Sequence, residues 1–416
     1  MPDHPSGAGG QLPPHALRVL MISLSEGILT GQGGGDVRDR HLEYARRIGH
    51  LHMIVYSPRA HDREAADLSE RLTVYPTRSR SPLTFVPDAV RIGAGICRAE
   101  AVAGRPIDVI TTQDPFSTGL AGWLLRRRCG AALDVQSHAS FFDNRYWIRE
   151  RPLRHGAFNV LGKWIARRAD TLRVVNTDER ARSIRAGVEP DRIEVINTPV
   201  NVDRFLAPVD AAEIAALRRA LDLPESAPVI LWVGRPVWFK RLPTLLDAFA
   251  IVRAEHPAAR LVLVGDFSGA PHIPARVRAL GLSDSVAFAG RVDHADLPAY
   301  YALADVYALS SVYEGLPKVL VEAAASATPA VSTAMAGGVD AVVDGETGLL
   351  AEIENPADFA ARLSALLSDP ERARAMGRRA RERACDVYDR AATIERIVAM
   401  WSRCAAMRSR GAMRRG

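Results

Sequence analysis

The residues best suited to chemistry lie in one stretch, Ser310-Ser311-Val312-Tyr313-Glu314-Gly315-Leu316-Pro317-Lys318-Val319-Leu320-Val321-Glu322. It follows an apolar run of strand length, residues 306–309, and leads into a helix that Pro317 can open, because proline fits the first helical turn. The unpaired N–H groups around 316–319 are then available to an anion or a polar ligand. Glu314 falls in the loop before that helix and Glu322 about a turn and a half inside it. A carboxylate accepts from two vicinal hydroxyls at once, such as those of a ribose or a hexose. Two carboxylates flanking an amide nest therefore suit both ends of a sugar nucleotide. Two glutamates on a solvated helix face are the plain alternative, but Glu322 sits between Val319-Leu320-Val321 and Ala323-Ala324-Ala325, which read as buried.

A second candidate begins where the apolar run 229–233 meets Gly234-Arg235-Pro236-Val237-Trp238-Phe239-Lys240-Arg241. Arg235 and Lys240, at a strand end just ahead of a helix, suit a phosphate or diphosphate. A solvated basic turn would look similar, yet lysine is scarce in this chain. Of 54 basic residues only Lys163, Lys240 and Lys318 are lysines, and an ammonium is a compact point charge where a guanidinium is a planar fork. A third loop, Gly31-Gln32-Gly33-Gly34-Gly35-Asp36, has glycines that let backbone N–H groups approach an anion. It breaks the dinucleotide fingerprint at Asp36 and lacks the Gly-Lys-Ser/Thr of a P-loop, so a tight strand-to-helix turn explains it equally well.

The elements that must hold these loops are legible as alternation. Strand-sized apolar runs at 17–24, 51–56, 107–111, 132–136, 171–175 and 193–196 are interleaved with helical stretches such as 36–48 and 117–128. After a Pro-containing break around 201–210 the pattern restarts, with strands at 229–233, 261–264, 286–289, 306–309 and 330–332. Helices fit 243–255, 274–280, 297–302, 318–327 and 356–367. Buried strands alternating with helices predict parallel sheets covered on both faces. The expected organisation is a disordered tail at 1–15, a first α/β domain at 16–205 and a second at 206–385. A helix at 386–407 is expected to pack back on the first domain, and a basic tail at 408–416 to fray. In doubly wound sheets ligands bind outside the carboxyl ends of the strands, so two such domains face to face make a cleft.

Composition excludes other classes. Hydrophobic residues are 48% and charged residues 25% of 416, which fits neither a disordered nor a fibrous chain. No run approaches the roughly 18 apolar residues of a membrane span, and residues 1–15 lack the basic and apolar segments of a secretory signal. The four cysteines, Cys97, Cys129, Cys385 and Cys404, form no C-x-x-C pair, which argues against a zinc site or disulfide framework and for a reduced, cytoplasmic compartment.

The net charge of +6 lies wholly in the first half, where residues 1–205 hold 29 basic and 23 acidic side chains. Residues 145–168 alone carry seven bases, among them Arg145, Arg149, Arg151 and Arg154, against the single acid Glu150. Trp147, Phe158 and Trp164 are interleaved with them. Basic residues mixed with tryptophan suit an anionic membrane surface, with a lipid-linked or small glycan acceptor arriving there. Scattered arginine over a helix whose apolar side is core explains the stretch equally well for 158–165. Nucleic acid is not expected, because the patch is short and the second half is neutral.

With these motifs in place the chain resembles glycosyltransferase family 4, whose GT-B fold has two facing Rossmann-like domains around a deep interdomain cleft. Glu314…Glu322 matches the family's E-x7-E motif, and Gly234-Arg235…Lys240 its diphosphate clamp. Val264-Gly265-Asp266, Phe288-Ala289-Gly290-Arg291-Val292 and Asp344-Gly345-Glu346-Thr347-Gly348-Leu349-Leu350 match its other segments. The resemblance implies a retaining transferase that uses a UDP- or GDP-sugar co-substrate and no obligatory metal or other cofactor, in polysaccharide, glycolipid or other envelope glycoconjugate synthesis.

It also implies roles. Arg235 and Lys240 hold the diphosphate, backbone near Arg291 meets the base, and Glu322 takes the ribose. Glu314 with Gly315, Leu316, Pro317 and Lys318 addresses the sugar, Gly33, Gly34 and Gly35 close over the phosphates, and His138 stands near the reacting centre. Two stretches depart from the pattern: Ala341 stands where the family has a glutamate, and the hinge reads Thr198-Pro199-Val200-Asn201-Val202-Asp203. A sugar-nucleotide 2-epimerase, or a binding protein without catalysis, remains the alternative.

Overall fold

Runs of valine, leucine and isoleucine build two sheets in the computed structural model, which describes residues 13–30 and 37–413. The chain divides into two units, one of residues 1–198 with 391–416 and one of residues 199–390.

In the first unit the strands are β1 (Arg18–Ser23), β2 (His50–Val55), β3 (Ala66–Ser69), β4 (Leu72–Pro76), β5 (Val109–Thr112), β6 (Ala132–Ser137), β7 (Thr171–Val174) and β8 (Ile193–Val195). Their order is β3-β4-β2-β1-β5-β6-β7-β8. Every pairing is parallel except the edge strand β3, which runs antiparallel to β4. The order turns back between β1 and β5, which is where such sheets bind ligands.

The second unit has β9 (Val229–Val233), β10 (Arg260–Val264), β11 (Val286–Gly290), β12 (Val306–Leu309), β13 (Ala330–Thr333) and β14 (Gly348–Ala351). They are all parallel, in the order β11-β10-β9-β12-β13-β14. Alternation along each strand splits the core in two. Ile230, Trp232, Leu261 and Leu263 face one apolar cluster, and Val229, Leu231, Val233 and Val262 face the other, so both sheet faces are dry. The switch point lies between β9 and β12.

Two boundaries differ from the sequence expectation. The first domain ends at 198 rather than 205, because Val200, Val202 and Phe205 are buried in the second unit's core. The C-terminal helix begins at Arg390 rather than 386. The preceding helix Pro370–Val387 is closed by Tyr388, and a second helix then runs Arg390–Met413, past the tail expected to fray from 408.

That last helix belongs to the first unit. Its Ile394, Ile397, Met400 and Trp401 are buried with Val19, Met21, Leu51 and Met53. A polar pin fixes it in place. Trp401 Nε1 donates to the fully buried Asp134 at 3.2 Å, and the Thr111 and Thr171 hydroxyls donate to the same carboxylate at 2.7 and 2.8 Å. Burial pushes the Asp134 carboxyl above its ordinary range. Among the described residues no helix is long and apolar enough to cross a membrane.

Candidate active site

The loops after β9 and β12, on the two strands at the second unit's switch point, are laced together by backbone. Val312 N–H donates to Phe239 O at 2.9 Å, and the Ser310 hydroxyl lies 2.9 Å from Lys240 O and 3.1 Å from Arg241 O. The lacing brings two charged side chains into contact. Lys240 Nζ donates to Glu314 Oε1 at 2.7 Å, and Ser311 Oγ donates to the same oxygen at 2.7 Å. Both members of the pair are largely sequestered, at 10% and 14% side-chain exposure. Arg235 is exposed on the same loop and has no ion-pair partner among the described residues. The ammonium is thus held in a fixed place and the guanidinium is left available.

Glycines let this edge close up. A Cβ on Gly265 would lie 2.1 Å from Gly234 O, and one on Gly337 would lie 2.3 Å from Gly315 O and 2.7 Å from Pro317 Cδ. The second contact seats the start of helix Ala336–Ala341 against the loop before helix Lys318–Ala325. In that loop Gly315 and Pro317 are buried, and Leu316 and Lys318 are half-buried. Ala341, in the glutamate position of the family pattern, is 9% exposed and brings no charge.

Glu322 is buried at 4% exposure, among Leu320, Val321 and Ala323. Its carboxylate is oriented by two groups that sequence reasoning did not single out. Tyr301 O–H donates to Oε2 at 2.9 Å, and His294 Nε2 lies 3.1 Å from Oε1. Burial, then the neighbouring Glu322 charge, raise the Tyr301 phenol well above its ordinary value. Tyr301 is therefore a fixed donor. Phe205 packs edge-on against both His294 and Tyr301, with centroids at 5.4 and 5.5 Å. The available signal was His294, three residues past the conspicuous Arg291. Arg291 itself is exposed just beyond β11, whose last residue Gly290 has φ +70°.

In the first unit Gly33, Gly34 and Gly35 lie outside the described residues. His138 is half-buried and follows β6. Behind it Ser137 Oγ donates at 2.9 Å to Glu179 Oε1. Glu179 is fully buried, its other carboxylate oxygen has no hydrogen-bond partner among the described residues, and burial pushes its pKa up to about 8. Burial thus favours the protonated form of this side chain at neutral pH.

The arginine-rich segment divides. Arg145, Arg149, Arg151 and Arg154 are exposed. Trp147 is not a surface residue: it is 6% exposed, stacked on Phe116 at 5.1 Å and on His155 at 4.4 Å. Phe158 also stacks on Phe116, at 5.2 Å, so the apolar side of helix Pro152–Ala166 is core. Lys163 is tied to Asp143 at 2.5 Å, and Arg168 caps Trp164 at 4.1 Å. Leu153 and Val160 remain outside, 92% and 70% exposed.

Comparison with known proteins follows the same division. Residues 36–199 match the model of the glycosyl transferase 4-like domain, and residues 213–383 that of glycosyl transferases group 1. A D-inositol 3-phosphate glycosyltransferase from Thermobispora bispora is 31% identical over 385 residues, covering 86% of this chain and 88% of its own. Among solved structures, sucrose-phosphate synthase from Thermosynechococcus elongatus superposes with a TM-score of 0.76 at 24% identity, covering 93% of this chain and 98% of its own. Anabaena HepE, in complex with UDP and glucose, superposes with a TM-score of 0.72 at 19% identity, over 92% and 98%.

Proposed function

The chain belongs to glycosyltransferase family 4 and has the GT-B fold, and from that premise we propose that it transfers a sugar, with retention of configuration, from a UDP- or GDP-sugar held by the second unit. The observation that carries this reading is the Lys240–Glu314–Ser311 cluster at the switch point between β9 and β12. Glu314 and Ser311 position the ammonium beside the space that a diphosphate takes, and exposed Arg235 adds a planar fork. As the bond from the anomeric carbon to the phosphate oxygen breaks, these two cations stabilise the charge on the leaving group. They supply what a metal would otherwise supply, so no obligatory metal enters the reading. The acceptor hydroxyl forms the new bond to the same carbon on the same face, and its proton leaves with the diphosphate. No enzyme nucleophile takes part.

Glu322, oriented by Tyr301 and His294, retains lone pairs for the ribose hydroxyls, and the backbone beyond β11 at Arg291 meets the base. The first unit serves the acceptor, with His138 near the reacting carbon and the loop of Gly33, Gly34 and Gly35 on the phosphates. The acceptor is a lipid-linked or small glycan of the cell envelope, met at the inner face of the membrane. Support for the membrane comes from exposed Leu153, which lies in the sequence between exposed Arg151 and Arg154, with Arg149 and Val160 exposed as well, since apolar side chains among cations suit an anionic interface.

The test is release of nucleoside diphosphate from a panel of UDP- and GDP-sugars, with and without a membrane extract. Release that needs the extract is expected. Turnover of the sugar nucleotide without any acceptor would instead favour the 2-epimerase reading, and binding without turnover a non-catalytic protein.

A further inference from the structure

Of the six tryptophans, Trp232 and Trp401 are fully buried and Trp147 nearly so, while Trp123 and Trp164 are half-buried against each other with ring centroids at 4.8 Å. Trp238 alone among them is exposed, at 41%, and no role assigned above uses it. It stands in the loop after β9, between Arg235 and Lys240. Single exposed apolar side chains are ordinary on protein surfaces. Two features set this one apart.

The ring is held in place. Residues Trp238–Lys240 form one tight helical turn, closed by Arg241 N–H donating to Trp238 O at 3.1 Å. Arg241 leaves the turn at φ +48°, a left-handed conformation that persists only where the surroundings over-determine it. The indole packs on Tyr313 with centroids at 5.9 Å and meets Phe239 edge-on at 6.3 Å, and Phe239 packs on Tyr313 at 5.1 Å. Tyr313 is 8% exposed, so the indole is the open end of an anchored aromatic wedge. The position is the second feature. Tyr313 adjoins Glu314, the carboxylate that holds Lys240 at 2.7 Å, and Val312 N–H donates to Phe239 O at 2.9 Å. The open indole is therefore carried by the same two loops as the Lys240–Glu314 pair. Base and ribose are assigned to other elements, so this ring belongs to the reacting end.

We propose that Trp238 is a stacking platform for a pyranose ring of the acceptor, the second unit's share in holding that substrate. An aromatic face is electron-rich, and the axial C–H bonds on one face of a pyranose present electron-poor hydrogens to it. A rigid indole makes this contact at little cost in conformational entropy. Exposed Arg235, on the same loop, has N–H donors for hydroxyls at the edge of the sugar. The acceptor therefore presents a sugar ring at its reacting end. That the ring is the acceptor's rests on the reading that transfer takes place at the Lys240–Glu314 cluster; that Trp238 takes a pyranose does not.

The experiment is saturation-transfer NMR on the full chain, with and without UDP or GDP. The probes are the methyl α-pyranosides of glucose, galactose and mannose, with glycerol as a polyol that has no ring. Transfer to the ring C–H protons of at least one pyranoside is expected, reduced about fivefold or more in Trp238→Ala. It should be kept in Trp238→Phe, which retains an aromatic face and so separates stacking from any loss of fold. Glycerol should receive none. Calorimetric affinities for UDP and UDP-glucose decide which sugar uses the platform, and both should be unchanged in Trp238→Ala. A loss for UDP-glucose that spares UDP would assign the indole to the donor sugar and overturn the acceptor role. No transfer to any pyranoside, equal transfer to glycerol, equal transfer in the parent and Trp238→Ala, or a loss in Trp238→Phe as deep as in Trp238→Ala overturns the platform. Failure of both nucleotides to bind while a pyranoside still depends on Trp238 would overturn the donor assignment and leave the platform standing.

Discussion

Lys240 and Glu314, 74 positions apart in the chain, meet at 2.7 Å where the order of the second sheet turns back. The contact exists because the loops after β9 and β12 are joined by the Val312 N–H to Phe239 O hydrogen bond and by the Ser310 hydroxyl, and it fixes an ammonium at the place where a nucleotide's diphosphate is expected. A sequestered ion pair is weak support for stability but costly to break on one side. Its retention here is better explained by positioning than by folding energy.

Removing one partner should therefore be felt in the fold as well as in catalysis. Lys240→Ala and Glu314→Ala are each expected to destabilise the second unit by up to about 3 kcal/mol. The double variant should lose less than the sum. Chemical denaturation of the three variants checks this, and simple additivity would mean that the pair is not coupled.

Tyr301→Phe removes one donor from the buried Glu322 carboxylate without changing shape. A loss of about 1–3 kcal/mol in stability is expected, together with weaker nucleotide binding, because the carboxylate is no longer held in place. Glu322→Ala should weaken nucleotide binding further. Titration with UDP and GDP reads both variants, and unchanged affinity in both would remove Glu322 from the site.

Gly337→Ala would place a carbon 2.3 Å from Gly315 O, so the loop before helix Lys318–Ala325 must shift. Even a 1 Å displacement of positioning groups costs about a hundredfold in rate. Gly345→Ala, at φ +77° with open space around it, should lower the melting temperature with little effect on turnover. Equal rate losses in the two variants would contradict this.

Glu179 gives the first unit a pH signature. Its folded pKa of about 8 lies above the ordinary 4.5, so the native state keeps a proton that the unfolded chain has released. The stabilisation is whole below pH 4.5 and is lost as pH rises through 8. Glu179→Gln should track the parent near pH 5 and exceed it by a few kcal/mol, roughly, near pH 9. Parallel stability curves for the two proteins would refute the assignment.

The membrane edge has its own test. Flotation with anionic vesicles is expected at low salt and should weaken at high salt. It should be lost in the combined Arg149→Gln, Arg151→Gln, Arg154→Gln and Leu153→Asp variant while nucleotide binding is spared. Trp147→Ala should unfold the corner rather than alter docking alone, because that ring is stacked between Phe116 and His155. Failure of the parent to float with any vesicle would favour a soluble acceptor.

What the sequence disclosed and what it hid follow from range. The strands of the second sheet and the loops after β9 and β12 were legible because a buried parallel strand is one uninterrupted apolar run and its motif follows directly. Burial of Glu322 was legible from its alanine and valine neighbours. Its partners Tyr301 and His294 were not, since they come from a separate segment and meet it only through tertiary packing. Trp147 misled for the same reason: a tryptophan among arginines has the composition of an interface, and only the stacked Phe116 and His155 reveal it as core.

The central claim is that Arg235 and Lys240 stabilise a departing nucleoside diphosphate. It is tested most directly by acceptor-dependent diphosphate release in Arg235→Ala and Lys240→Ala, measured at a temperature where both variants are folded. Each is expected to lose roughly 2–4 kcal/mol of transition-state stabilisation, about thirty- to a thousandfold in kcat/KM, with activity of the parent surviving a chelator. Wild-type turnover in both variants would contradict the account.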